Sequence, residues 1–87
     1  MSRPEIAIYA TGWCPYCDRA RELLTKKGVE FKQIDVDEDG KLREEMSARS
    51  GRRTVPQIFI GTKHIGGCED LFALDASGEL DRLIEGV

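Results

Sequence analysis

The segment IAIYATGWCPYC, residues 6–17, is the most informative part of the sequence about the fold. It opens with a short run of β-prone residues, which predicts a strand that ends at Ala10. From Pro15 onward the apolar residues recur at helical spacing, and a proline suits the first turn of a helix because its missing N–H is not needed there. Cys14 and Cys17 therefore lie at a junction between a strand and a helix.

Outward from this segment, the patterning predicts short alternating elements. We expect strands over residues 5–10, 29–36, 55–60 and 63–65. One helix should run from residue 15 to near Gly28, and a second should follow the turn at 37–40 and end near Gly51, with further helices over 68–74 and 77–84. The first βαβ unit should be parallel, whereas the last two strands, joined by a two-residue turn, must be antiparallel. The sequence therefore predicts an α/β fold, βαβαββα, with a mixed four-stranded sheet and helices on both faces.

Length and composition narrow the class of protein. The 87 residues suffice for one domain, which we expect to span residues 1–87. The apolar runs are too short for a membrane span or a signal peptide, so we expect a cytoplasmic protein with no membrane partner. The net charge is -3, and the basic residues are interleaved with acids except in a short cluster at residues 49–53. This balance argues against nucleic-acid binding.

Three cysteines carry the chemistry that the sequence suggests. An odd number of cysteines in such a chain argues against a disulfide scaffold. Cys14 precedes the first helix, where free N–H groups and the helix dipole stabilise a thiolate, so it is the predicted nucleophile. Cys17 lies about one turn further on, points more inward and is the predicted resolving residue. A C-x-x-C motif at a βα junction indicates thioredoxin-like redox chemistry.

Two other interpretations of the cysteines have to be weighed. One is a zinc site built from Cys14, Cys17, His64 and Cys68, whose ligand types suit a Cys3His centre. The spacing of the second pair across a Gly-Gly turn disfavours it, and we predict no metal. The other is an inert buried pair. The position of Pro15 and its neighbour at the open end of a helix argues against burial of both cysteines.

The sequence resembles the bacterial dithiol glutaredoxins over nearly its whole length, residues 6–83. The resemblance rests on three motifs in that family's order and spacing, namely CPYC at 14–17, TVP at 54–56 and GGCED at 66–70. It implies a thioredoxin-like fold and a glutathione-dependent thiol–disulfide oxidoreductase. Such an enzyme reduces protein disulfides and glutathione mixed disulfides through the two cysteines of its C-x-x-C motif.

The resemblance also implies a binding site for glutathione. The residues implied are Tyr16, Arg43, Thr54, Val55, Pro56, Gly67, Cys68 and Glu69. Pro56 is expected to follow a cis peptide bond, so that the backbone of Val55 pairs with an extended substrate. The N–H groups of Cys68 and Glu69 are expected to hold the γ-glutamyl carboxylate. Arg43 is the expected partner of the glycine carboxylate.

Several further expectations follow from the same resemblance. Tyr16 should pack on the ligand, Asp70 should cap or orient the start of the helix at Cys68, and Arg52 and Arg53 should add positive potential. Thr11 stands where many family members carry lysine, which predicts the loss of one charge contact with glutathione. Glu69 replaces a more common Asp or Ser. Glutathione is the expected cosubstrate, with no bound cofactor; the expected partners are glutathionylated or disulfide-containing proteins, and the chain should act as a monomer.

Two competing functions remain open at this point. Some glutaredoxin relatives carry an iron–sulfur cluster between two subunits, held by the first cysteine and glutathione. Pro15 argues against this function, since the cluster binders of the family more often have glycine or serine at that position. The second competitor is a thioredoxin-like reductase that a flavoenzyme supplies with electrons.

Overall fold

The computed structural model describes residues 4–37 and 39–85. Its elements, in chain order, are β1 Ile6–Ala10, α1 Pro15–Lys26, β2 Lys32–Asp35, α2 Gly40–Ser50, β3 Gln57–Ile60, β4 Lys63–Gly66, α3 Cys68–Ser77 and α4 Glu79–Glu85. This confirms the predicted βαβαββα order, followed by one more short helix. In the part of the chain described, no helix is both long and apolar enough to cross a membrane.

The four strands form one mixed sheet in the order β2-β1-β3-β4. β1 pairs with β2 in parallel and with β3 antiparallel, and β3 pairs antiparallel with β4. The pairing of β3 with β4 shifts register between Ile58 and Phe59, which marks a bulge. The predicted mixed sheet is therefore confirmed, with β1 and β3 in its centre.

Helices cover both faces of the sheet, as predicted. Because side chains alternate along a strand, Ile8 of β1 and Ile58 of β3 face one side, where α1, α3 and α4 pack. Tyr9 and Phe59 face the other side, where they pack with Met46 of α2. All five residues of β1 are buried as a result. The strand that leads to the cysteines is thus held from both sides.

The element boundaries that differ most from the predicted ones are the start of β2 and the end of α3. β2 begins at Lys32 rather than at residue 29, because its pairing with β1 starts at Lys32 opposite Ala7. α3 continues to Ser77, so α4 begins at Glu79 and not at residue 77. The break between these helices is Gly78, whose φ of 84° is a left-handed conformation that glycine adopts readily.

Candidate active site

Cys14 occupies the N-cap of α1. Its backbone is extended, with φ -92° and ψ 119°, and Pro15 is the first residue of the helix, as predicted. The carbonyl of Cys14 accepts the N–H of Asp18 at 3.0 Å, the first bond of the helix. No side chain caps this helix start. Pro15 has no N–H, but the N–H groups of the next residues in the first turn are available to stabilise a negative charge at Cys14.

Cys17 lies one turn into α1 and is completely buried. Burial raises the pKa of the Cys17 thiol to about 11, and the neighbouring Cys14 sulfur raises it too. The backbone and the hydroxyl of Thr11 act in the opposite direction. At neutral pH Cys17 is therefore a protonated thiol beside Cys14. This state suits the resolving role that its inward position predicted.

Both cysteines of the motif are buried, which corrects the expectation that at least one would be exposed. Cys14 is 8% exposed and packs into the larger core, because the start of α1 lies against the sheet. Trp13 and Tyr16 take the exposed positions instead, at 72% and 55%. The indole N–H of Trp13 donates to the carboxylate of Asp37 at 3.1 Å. Burial alone is thus no evidence that this cysteine pair is inert.

A groove of about 230 Å³ lies at the start of α1, where Tyr16, the residue before Cys17, forms part of its lining; Cys14 and Cys17 themselves do not line it. It is lined by Tyr16, Arg52, Thr54, Val55, Pro56, Gly67, Cys68, Glu69 and Asp70. These residues come from the start of α1, the segment before β3 and the start of α3. The groove therefore collects every residue predicted to bind glutathione except Arg43. A larger cavity, about 650 Å³, includes residues 28–32 and none of the three cysteines.

Two backbone features shape the groove. The peptide bond between Val55 and Pro56 is cis, as predicted. On the opposite side, Gly67 approaches so closely that a Cβ atom there would lie 3.4 Å from the carbonyl oxygen of Pro56. A side chain at this position would therefore press on the wall of the groove, which explains the glycine.

The start of α3 is capped by Asp70, as the sequence suggested. Its Oδ2 accepts the N–H of Gly67 at 2.9 Å and a hydrogen bond from Arg52 Nη1 at 3.1 Å. The bond from Gly67 and then the Arg52 guanidinium lower the pKa of the Asp70 carboxyl. Cys68 and Glu69 are the first two residues of α3, so their N–H groups have no helical partner. They border the groove, where an anion can accept from them.

Arg43 lies outside the groove, although the resemblance implied that it binds glutathione. It is half-buried on α2, and its Nη1 donates to the carbonyl of Arg53 at 3.3 Å. Arg52 lines the groove instead. The basic cluster at residues 49–53 was the signal for this cation, but the sequence does not show which of its arginines reaches the site.

Thr11 does not line the groove, and the loss of a charge contact with glutathione that its identity predicts stays a prediction. It follows directly on β1 and is only 2% exposed. Its hydroxyl lies beside the Cys17 thiol, whose pKa it lowers. Thr11 therefore acts on the cysteine pair and is not part of the groove. The burial of the strand on both faces, which places its end in the core, was not evident from the sequence.

Gln57 and His64 support the wall of the groove, a role that the sequence did not suggest. Gln57 is completely buried, and its Nε2 donates to the carbonyl of Thr54 at 3.0 Å. The Nε2 of His64 lies 2.7 Å from Gln57 Oε1, and the centre of its ring lies 5.0 Å from that of Phe59, with the two rings tilted by 37°. Within residues 4–37 and 39–85, no three His, Cys, Asp or Glu side chains converge to hold a metal.

Comparisons of this chain with known proteins all find the same family. The family model described as Glutaredoxin matches residues 6–65. Glutaredoxin 3 of Escherichia coli K12 is 56% identical over 80 residues, which cover 92% of this chain and 96% of the relative. The solution structure of glutaredoxin from Brucella melitensis matches with a TM-score of 0.86 at 52% identity, over 98% of this chain and 92% of that one. The crystal structure of a buckwheat glutaredoxin–glutathione complex matches with a TM-score of 0.86 at 28% identity, over 93% and 76%.

Proposed function

This chain belongs to the glutaredoxin family, and from that premise we propose that it uses glutathione to reduce protein disulfides and glutathione mixed disulfides. Membership makes it a thiol–disulfide oxidoreductase with a thioredoxin-like fold. The observation that carries the finer proposal is the groove lined by Tyr16 of the cysteine motif, which collects every residue expected to bind glutathione except Arg43. A structural relative from buckwheat was solved in complex with glutathione, which supports the same ligand here.

We assign the γ-glutamyl and the cysteinyl parts of glutathione to different parts of the groove. The γ-glutamyl carboxylate accepts hydrogen bonds from the N–H groups of Cys68 and Glu69 at the start of α3. The cysteinyl residue pairs with the backbone of Val55, next to the cis peptide bond. Tyr16, exposed at the rim, packs on the ligand. This arrangement directs the glutathione sulfur toward Cys14.

The reduction of a glutathione mixed disulfide needs Cys14 alone. The Cys14 thiolate attacks the glutathione sulfur, a bond forms between the two sulfurs, and the target protein leaves as a thiolate that takes up a proton. A second glutathione thiolate then attacks the glutathione sulfur bound to Cys14. The products are oxidised glutathione and the free Cys14 thiolate.

A protein disulfide requires Cys17 as well. Cys14 attacks one sulfur of the target and forms a mixed disulfide with it. The Cys17 thiol then loses its proton and attacks the Cys14 sulfur, which releases the reduced target and leaves a disulfide between Cys14 and Cys17. Two molecules of glutathione reduce this disulfide and are themselves oxidised. We also propose that residues 1–87 form one domain, monomeric and cytoplasmic, with glutathione as cosubstrate and no bound cofactor.

Cysteine variants test the proposal. With a small glutathione mixed disulfide as substrate, glutathione as reductant and glutathione reductase as the coupling enzyme, Cys14→Ser should be inactive. Cys17→Ser should retain this activity but lose the reduction of protein disulfides, because only the second reaction needs a resolving thiol. Cys68→Ser is the matched control and should keep both activities, since its backbone rather than its thiol faces the ligand. If Cys17→Ser is as inactive as Cys14→Ser with the mixed disulfide, the assigned roles are wrong.

The choice of electron donor distinguishes the proposed function from that of a thioredoxin-like reductase. The wild-type protein should reduce disulfides with glutathione and glutathione reductase, and much more slowly with thioredoxin reductase. A preference for thioredoxin reductase would make the chain a thioredoxin-like reductase and contradict the proposal.

A further inference from the structure

Thr11 carries a polar group that the reaction described above does not use. It is 2% exposed and lies between β1 and Cys14. Among residues 4–37 and 39–85, its Oγ1 is the only buried side-chain nitrogen or oxygen that has no hydrogen-bond partner. A buried hydroxyl without a partner destabilises a folded protein. Because this hydroxyl lies close to the reacting cysteines, we expect it to gain a hydrogen-bond partner in another state of the site.

The reacting group on which this hydroxyl acts is the thiol of Cys17, whose pKa it lowers. Cys17 is completely buried, and both the backbone and the hydroxyl of Thr11 act on its thiol. In the reduced protein Cys17 is protonated and needs no donor. A Cys17 thiolate, in contrast, is a buried anion that is stable only if nearby groups donate hydrogen bonds to it.

We propose, on the basis of the function proposed above, that Thr11 is a catalytic residue for the dithiol reaction, in which its hydroxyl donates a hydrogen bond to the Cys17 sulfur when that sulfur is a thiolate. Such a thiolate forms twice in the cycle. It forms when the Cys17 thiol loses its proton to attack Cys14. It forms again when a glutathione thiolate attacks the Cys14 sulfur of the Cys14–Cys17 disulfide, because the bonding pair then leaves with Cys17.

The second of these steps shows the effect most directly. The attack forms a bond between glutathione and Cys14, breaks the bond between Cys14 and Cys17, and places the negative charge on Cys17. The proton that glutathione gave up to the solvent returns to Cys17 afterwards. Since a better-stabilised leaving thiolate departs faster, the Thr11 hydroxyl should accelerate this step. The reduction of a mixed disulfide by Cys14 alone places no charge on Cys17.

The experiment compares Thr11→Val with Thr11→Ser. Valine has nearly the shape of threonine and lacks the hydroxyl, whereas serine retains it. The oxidised proteins are mixed with glutathione or with dithiothreitol in a stopped-flow instrument, and the fluorescence of Trp13, next to Cys14, reports the reduction. Thr11→Val should slow the reduction by about tenfold or more with either reductant, the effect of one hydrogen bond to a charged group. Thr11→Ser should recover most of the lost rate.

A double variant separates this role from a structural one. In the Cys17→Ser background, Thr11→Val should change mixed-disulfide reduction much less, because no Cys17 thiolate forms. Equal reduction rates for Thr11→Val and wild type would overturn the proposal. An equally large loss in the Cys17→Ser background would also overturn it. Dithiothreitol keeps the two proposals distinct: if glutathione fails to reduce even the wild-type disulfide, the proposed function fails, while the dithiothreitol rates still test the role of Thr11.

Discussion

Cys14 and Cys17 carry the same thiol three positions apart, yet the fold gives them different surroundings. Cys14 is at the N-cap of α1 with 8% of its surface exposed, and Cys17 is inside the core. The difference lies in what can stabilise a thiolate: free N–H groups surround the N-cap position of Cys14, whereas the Cys17 sulfur has lost its water inside the core. The order of attack in the proposed mechanism follows from this difference between two neighbouring residues.

The buried Cys17 thiol should make the stability of the reduced protein depend on alkaline pH. Its folded-state pKa is raised from 9.0 to about 11, so its contribution is fully present below pH 9 and is lost as the pH rises through 11. The loss should be on the order of 2 kcal/mol. Urea unfolding of reduced wild type and Cys17→Ser at pH 8 and pH 11 measures it. Wild type should lose more stability than the variant over this interval, and equal losses would contradict the assignment.

Arg52 should contribute more than Arg43 to the binding of glutathione, because Arg52 lines the groove and Arg43 does not. An exposed charge contact contributes about 0.2–1 kcal/mol, so Arg52→Ala should raise the KM for glutathione up to about fivefold. The effect should shrink at high salt. Arg82→Ala is the control, since that exposed arginine pairs with Glu79 on α4. Steady-state kinetics at two ionic strengths decide, and a larger effect of Arg43→Ala would restore Arg43 as the main cation.

At the level of helices and strands, local sequence signals predicted the features that depend only on residues adjacent in the chain. The cysteine at the start of α1 and the proline of the cis peptide bond lie where their motifs indicated. The start of β2 was set by pairing with β1, a long-range contact without a signature in residues 29–31. The burial of Thr11 and the position of Arg43 likewise depend on how separate elements pack. Short sequence motifs carry no information about how those elements pack.

The turn from β4 into α3 depends on one glycine. Gly66 has a φ of 121°, and a Cβ atom there would overlap the Asp70 carboxylate that caps α3. Gly66→Ala should therefore destabilise the protein by about 1–3 kcal/mol and raise the KM for glutathione. Gly40→Ala is the matched control, because Gly40 begins α2 with no left-handed backbone and open space around it. Urea unfolding of both variants tests this, and similar stabilities would contradict it.

At the scale of the whole molecule, the two faces of the sheet are packed unequally. On one face α1 contributes four buried residues, Cys17, Ala20, Leu23 and Leu24. On the other face α2 contributes one, Met46. Polar contacts supplement it: Arg49 Nη1 donates to the hydroxyl of Tyr9 at 2.7 Å, and that hydroxyl donates to Glu45 at 2.6 Å. The guanidinium of Arg49 also lies 4.2 Å from the centre of the Phe59 ring.

This inequality predicts that α2 opens before the rest of the molecule. Each fully buried large apolar side chain contributes about 1.5–3 kcal/mol, so a helix with one buried side chain, Met46, should open locally at a lower free energy than α1. Native-state hydrogen exchange should show amides of α2 exchanging at least tenfold faster than the slowest amides of α1.

Arg49→Met, which removes the contacts with Tyr9 and Phe59, should accelerate exchange in α2 and leave α1 nearly unchanged. Because the segment that leads to the groove begins at the end of α2, glutathione should slow exchange in α2 if it orders that segment. Equal protection of the two helices would mean that the sheet and both helices unfold as one cooperative unit, and would contradict the prediction.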